Sequence, residues 1–285
     1  MEDWPTARVQ EVAPLVRRVL ADNPSPFTYT GTQTYIVGGG EVAVIDPGPD
    51  LPGHVEALLR AVEAETVKAI LVTHTHRDHS PAARPLADAT GAPIVGCAPL
   101  AFDDAGPRAD AAFDTAYRPD RVMSDGDRVE GAGWTLEAIA TPGHTSNHLC
   151  FALLEEQALF SGDHVMGWST TVVAPPDGDM AAYMASLDKL MARSDRIYYP
   201  AHGEPVERPQ RLVRGLIGHR KQREGQILRL LKRGEGDIQT MVGAMYKGLD
   251  PRLHGAAGRS VLAHLIDLKG RGLVRQAGDE WSIAA

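Results

Sequence analysis

"LVTHTHRDHS", residues 71–80, sets three histidines and an aspartate (His74, His76, Asp78 and His79) directly behind the apolar run "AILV". A short apolar run closed by a turn reads as a buried strand. On extended chain, residues i and i+2 project to the same side, so His74 and His76 can approach one ion just past the strand end. Asp78 and His79 fall where the next helix begins and can approach a second position. Imidazole and carboxylate are common ligands of zinc and its transition-metal neighbours. One His-x-His is weak evidence alone, but the pattern recurs. His144 stands in "TPGH" behind "LEAIA", Asp163 in "SGD" behind "ALF", and His202 in "AHG" behind "IYYP". Each time an apolar strand runs into a small-residue turn that carries a metal-type side chain. Buried ionisable groups are costly unless paired or bound to metal, so packing alone gives no reason to gather them on one edge.

Outward from this stretch, the first two thirds of the chain alternates apolar runs with helical patterns. Strands are expected at 42–46, 69–73, 93–96, 134–140, 148–154, 157–162 and 196–200, and helices at 51–65, 80–90 and 179–193. Several of the strands are continuously apolar, which predicts an α/β fold of sheets covered by helices. Residues 101–127 are polar and turn-rich and read as a long loop. The pattern changes after "ERPQ" (207–210): a long basic helix follows, then helical segments near 237–247 and 256–270. The closing "GLVRQAGDEWSIAA" reads as strand, Gly-Asp turn, strand. Three helices and a hairpin are the plan of a winged helix, which divides the chain into a catalytic body, 1–208, and a small C-terminal domain, 209–285.

Net charge supports that division. From residue 211 onward 14 basic residues face 7 acidic ones, a net +7, whereas the preceding 210 residues carry −15. No apolar run reaches the roughly 18 residues that span a bilayer, so no membrane partner is expected. The N-terminus lacks a basic-then-apolar secretory pattern, and the expected location is the cytoplasm. Cys97 and Cys150 lie far apart, outside any CxxC, and read as free buried thiols.

Taken in order, "THTHRDHS", "TPGHTSNH", "FSGD" and "YPAHG" resemble the metallo-β-lactamase superfamily. The resemblance implies an αββα sandwich with a two-metal site at one edge of its sheets. It implies that His74, His76 and His144 hold one ion, that Asp78, His79 and His202 hold the other, and that Asp163 bridges them. Asp46, in "IDPG", would orient ligands without binding metal, and His148 would support the ligand loop. The nitrogen-rich set favours two zinc ions, with iron or manganese fitting the same cage. Two cations about 3.5–4 Å apart can share a water and lower its pKa, which makes a bridging hydroxide the expected nucleophile. Asp78, or a metal-bound water, would protonate the leaving group. Trp168 and Thr170, in "GWSTT", are expected to border the substrate pocket.

Asp163 stands where the superfamily's true β-lactamases usually carry cysteine, and the 38 residues between Asp163 and His202 leave no room for the inserted domain of its larger nucleases. His76 stands where flavodiiron oxygen reductases carry glutamate. From about 23 to 283 the chain resembles the lactamase-β-like subfamily, whose mitochondrial animal members are endoribonucleases acting on single-stranded RNA. That implies phosphodiester hydrolysis, and a basic tail would suit a polyanion. The alternative is hydrolysis of a small-molecule thioester or ester, as in hydroxyacylglutathione hydrolases, which share the seven ligands. A third reading is a nucleic-acid-binding regulator with an inert hydrolase body. The basic helix also suits a solvated face, a contact between domains or a homodimer contact.

Overall fold

Side-chain alternation in the strands sets the layers. In the computed structural model, which describes residues 4–100 and 112–284, two sheets stack face to face. The first holds β1 (Val9–Ala13), β2 (Val16–Leu20), β3 (Gln33–Gly39), β4 (Glu41–Ile45), β5 (Thr66–Val72), β6 (Ile94–Gly96) and β7 (Arg121–Val122), in that spatial order. The second holds β8 (Arg128–Gly131), β9 (Trp134–Ala140), β10 (Leu149–Leu153), β11 (Ala158–Gly162) and β12 (Ile197–Pro200), ordered β12-β11-β10-β9-β8. Neighbours β4 to β7 pair in parallel, as do β11 and β12; the other neighbours are antiparallel. Parallel neighbours need a crossover. Helices α1 (Pro52–Ala61), α2 (Ala83–Thr90) and α3 (Met180–Met191) supply it after β4, β5 and β11.

Strand β10 shows why both sheets are continuously apolar. Leu149, Phe151 and Leu153 enter the core shared with the first sheet, while Cys150 and Ala152 enter a second core under Tyr183, Leu187 and Leu190 of α3. Helices cover both outer faces, so the expected αββα layering is what forms.

All seven expected strands and all three expected helices of the body form, within a few residues at their ends. Strands β1, β2, β3 and β8 were not expected. β2, "VRRVL", interrupts its apolar residues with two arginines, and β8 is mostly exposed. The loop read over 101–127 needs correction in its second part. Phe113 bridges to His76, and Arg121–Val122 form edge strand β7 against β6. Both residues of β7 are exposed, so no apolar pattern announces it. Residues 101–111 lie outside the described residues.

The C-terminal segment forms α4 (Pro209–Leu231), α5 (Ile238–Met245), α6 (His254–Gly270) and the hairpin β13 (Val274–Ala277) and β14 (Glu280–Ile283). Helix α4 serves two cores. Val213 and Leu216 pack with α3, whereas Ile227, Leu230 and Leu231 pack with Val242, Val261 and Trp281 in a core of the C-terminal domain. Among the described residues no helix is long and apolar enough to cross a membrane. Cys97 and Cys150 are free and buried.

Candidate metal centre

Local devices fix the strand ends, and together these ends bring all seven predicted side chains into one buried cluster. At the end of β4, Asp46 takes a left-handed conformation (φ 48°) that turns its carboxylate under β5. It accepts from Thr73 N (2.8 Å), Thr73 Oγ1 (2.8 Å) and His79 Nδ1 (2.9 Å), which clamps both ends of the 73–79 loop. The His76 ring stacks on Phe113, centroids 4.6 Å apart. His144 follows Gly143 (φ 137°), where a Cβ would come within 2.4 Å of the Tyr183 backbone. Asp163 follows Gly162 (φ 50°), where a Cβ would lie 2.6 Å from His148 Nε2. Only glycine fits either approach.

Two groups result. Donor atoms of His74, His76, His144 and Asp163 lie within 4.8 Å of one another, as do those of Asp78, His79 and His202. Asp163 faces both. Its Oδ2 lies 3.6 Å from His144 Nε2 and 3.7 Å from His79 Nε2, and its Oδ1 lies 3.2 Å from His202 Nε2. Asp78 Oδ2 lies 3.2 Å from His202 Nε2 and 3.4 Å from His79 Nε2.

The outward hydrogen bonds set the tautomers. His144 Nδ1 donates to Val172 O (2.7 Å), His202 Nδ1 to Gly31 O (3.2 Å) and His79 Nδ1 to Asp46. Thr73 Oγ1, already donating to Asp46, accepts from His74 Nδ1 (3.0 Å). All four rings therefore turn Nε2 inward, where its lone pair is the ligand once a metal ion takes the place of any proton there. His74 Nε2 and His144 Nε2 approach His76 Nδ1 to 3.0 and 3.1 Å. Lone pairs facing one another and facing carboxylates are repulsive unless a cation lies between them. His79 Nε2, Asp78 Oδ1 and Asp163 Oδ1 are buried and make no hydrogen bond. A tetrahedral ion with bonds of about 2.0–2.1 Å sets neighbouring ligand nitrogens roughly 3.3 Å apart, close to the spacing seen. The donor set fits a pair of divalent metal ions.

The field in the cluster is divided. Burial and then neighbouring imidazoles hold His74 and His76 well below the usual histidine range. Burial opposes charge on His79 and His202 too, but Asp78 and Asp163 outweigh it and hold both above that range. Burial likewise opposes charge on the two carboxylates, and the facing histidines outweigh it, holding Asp78 and Asp163 below the usual carboxylate range.

His148 accepts from Asp163 N (3.2 Å) and donates to Thr141 Oγ1 (2.9 Å), so it supports the Asp163 backbone. His164, next to Asp163, turns away and packs on Tyr183, 4.7 Å between centroids. Sequence reasoning missed Thr73, Gly31, Val172 and Thr171. Thr73 directly precedes His74, a signal that was there to read; Gly31 and Val172 act through backbone carbonyls, which leave no side-chain signature.

Beside the centre, between the body and the C-terminal domain, lies a cavity of about 500 Å³. Phe27, Tyr29, Trp168, Thr170, Tyr246 and Leu253 are among its walls. The metal-type residues do not line it. Segment 168–172 separates the two, walling the cavity while Val172 O holds His144. Trp168 stacks on Tyr29, centroids 4.9 Å apart and planes 17° apart.

Comparison with known proteins agrees with this geometry. Residues 28–202 match the family model described as metallo-beta-lactamase superfamily, and residues 238–281 match that of the beta-lactamase associated winged helix domain. An atrochrysone carboxyl ACP thioesterase of Aspergillus fumigatus is 34% identical over 240 residues, covering 82% of this chain and 70% of that protein. A beta-lactamase-like protein 2 homolog of Caenorhabditis elegans is 34% identical over 236 residues, covering 80% and 74%. The crystal structure of a metallo-beta-lactamase family protein from Thermus thermophilus superposes with a TM-score of 0.77 at 24% identity, covering 96% of this chain and all of that one. With its seven inward donors, its four layers and its appended winged helix, this chain belongs to the metallo-β-lactamase superfamily of hydrolases.

Proposed function

We propose that this chain hydrolyses a thioester whose acyl group occupies the cavity beside the metal centre. The observation that carries the reading is the cavity itself. Aromatic and aliphatic side chains form much of its lining, with His219, Arg220 and Arg223 among the rest, and it lies against the segment that positions His144. Pockets of this size and lining hold compact apolar groups, and the relative in Aspergillus fumigatus is named as a thioesterase.

Zinc, the ion best suited to this nitrogen-rich set, would supply Lewis acidity and lower the pKa of a water toward neutrality. His74, His76 and His144 would hold one ion, Asp78, His79 and His202 the other, and Asp163 would face both. The chain's part is geometric. Asp46, Thr73, Val172 and Gly31 fix four imidazoles with Nε2 turned inward. Trp168 and Thr170, on the segment between cavity and centre, would hold the acyl chain on the cavity side, and its thioester carbonyl would have to reach past that segment to meet the attacking water. Water oxygen bonds to that carbon, the C–S bond breaks, and the thiol leaves with a proton.

Three of the tail's arginines are engaged within the domain rather than turned out toward a polyanion. Arg223 donates to Met245 O and Gln226, Arg271 pairs with Glu224 and Asp267, and Arg252 pairs with Asp250. Groups so engaged are not arrayed along a groove for phosphates.

Zinc-loaded protein assayed in parallel on acyl-coenzyme A and acyl-carrier-protein thioesters, single-stranded RNA, a bis-aryl phosphodiester and a chromogenic lactam should turn over the thioesters. Cleavage of RNA with thioesters left intact would overturn the proposal. Elemental analysis of protein purified without added metal decides between zinc, iron and manganese.

A further inference from the structure

Arg220 lies on α4, in the segment that leads into the C-terminal domain, yet its guanidinium reaches the loop behind the metal centre. It is 4% exposed and forms no ion pair among the described residues. One terminal nitrogen donates to Thr171 O and the other approaches Ser260 Oγ of α6 at 3.5 Å. The guanidinium carbon lies 5.1 Å from the centroid of the Tyr183 ring. Nε makes no hydrogen bond.

A buried cation without a carboxylate partner is costly, and an apolar side chain of similar volume in such a place is often neutral or stabilising. Packing therefore does not explain the arginine. What it holds does. Thr171 Oγ1 donates to Asp163 O (2.6 Å) and His164 O (3.1 Å). The next residue, Val172, presents the carbonyl that accepts the hydrogen bond from His144 Nδ1. The two-residue segment 171–172 thus orients one donor that faces both groups and one imidazole of the first group. Arg220 grips the same segment from the other side.

We propose that Arg220 is a positioning residue of the metal centre, acting through Thr171 and Val172 on Asp163 and His144, and that α4 is by this link a working part of the catalytic site. The inference rests on the reading of His144 and Asp163 as ligands. Removing the guanidinium frees the 171–172 segment, so the His144 ring and the Asp163 backbone lose a fixed direction. Losses of this kind typically lower metal affinity or activity 10- to 100-fold.

The test uses the full chain, metal-free, titrated with Zn2+ against a competing chelator, with denaturant unfolding of the metal-free protein in parallel. Arg220→Met should bind the first equivalent of zinc 10- to 100-fold more weakly while unfolding at the same or higher denaturant concentration than wild type. In steady state its kcat should fall by a similar factor; KM also reports the cavity wall that Arg220 forms, so zinc affinity is the deciding readout. Thr171→Val, which keeps the shape and removes the hydroxyl donor, should weaken zinc in the same way. In the double variant the two effects should not add, since both act on one segment. If Arg220→Met is poorly folded, Thr171→Val and Arg220→Lys, which keeps a donor and should lose less than Thr171→Val, carry the same comparison. Wild-type zinc affinity in a folded Arg220→Met or Thr171→Val protein would overturn the inference. So would fully additive losses. A wild-type chain that binds no zinc would instead remove the reading of His144 and Asp163 on which the inference stands.

Discussion

Asp46→Asn should disable one ligand without moving the backbone. Asn tolerates the left-handed conformation that Asp46 adopts (φ 48°), and it has the same shape. What changes is the donor pattern. Asp46 Oδ1 accepts from Thr73 N, while Oδ2 accepts from both Thr73 Oγ1 and His79 Nδ1. If the amide oxygen stays on Thr73 N, the amide NH2 faces His79 Nδ1. The imidazole must then offer that nitrogen as acceptor and carry its proton on Nε2, the atom that faces Asp78 and Asp163. If the amide flips, Thr73 N is left facing a donor inside the core. The first outcome removes one metal ligand; the second leaves an unsatisfied buried amide, at about 1–3 kcal/mol. The expected loss of zinc affinity is 10- to 100-fold, about 1.4–2.8 kcal/mol, concentrated in the group of Asp78, His79 and His202. Competition titration of metal-free protein with Zn2+ measures the affinity, and 15N NMR of the histidine rings reports which nitrogen of His79 carries the proton. Wild-type affinity at both positions, with His79 still protonated at Nδ1, would refute the tautomer reasoning.

Chelation should abolish turnover and Zn2+ should restore it; at 100 times its dissociation constant each ion adds about 2.7 kcal/mol to the folded state, so metal-free protein should melt roughly 5–10 °C lower by calorimetry. Trp168→Ala removes a cavity wall and the partner on which Tyr29 stacks, so kcat/KM for a bulky acyl thioester should fall while a short acetyl thioester loses less. His54 is buried and accepts its environment only as the neutral ring: burial pushes its pKa down to about 4. Between that value and the unfolded value near 6.5 the unfolded chain binds the extra proton. The contribution of His54 is therefore complete above pH 6.5 and lost as pH falls toward 4, by roughly 3 kcal/mol. Urea unfolding of metal-free wild type and His54→Gln from pH 4 to 7 should show a shallower slope in the variant; equal slopes would refute the assignment.

The cluster was legible because each ligand sits where two independent signals coincide. An apolar run says that the strand is buried, and the following small-residue turn says that the chain leaves the sheet there. A histidine or aspartate at that junction has nowhere to go but the shared edge. Gly143 and Gly162 show the same logic from the backbone side, since each side-chain-free position lets its ligand turn approach a neighbour that a Cβ would strike. Strands β1 to β3 carried no such coincidence. β3 buries Gln33 and Thr34 beside Tyr35 and Ile36, so its alternation is hidden by polar residues held on Pro200, Gly203 and Asp46 carbonyls. The supporting shell was least legible for a related reason. Val172 and Gly31 act through carbonyl oxygens that every residue possesses, and only the fold decides which carbonyl stands behind which imidazole. Arg220 looked like one more cation in a basic helix, because charge along a helix is the same in sequence whether it faces water or a buried loop. Its 4% exposure is what separates the two cases. A basic helix therefore argues for a polyanion only for those cations that the fold leaves in water, and Arg220 is not among them.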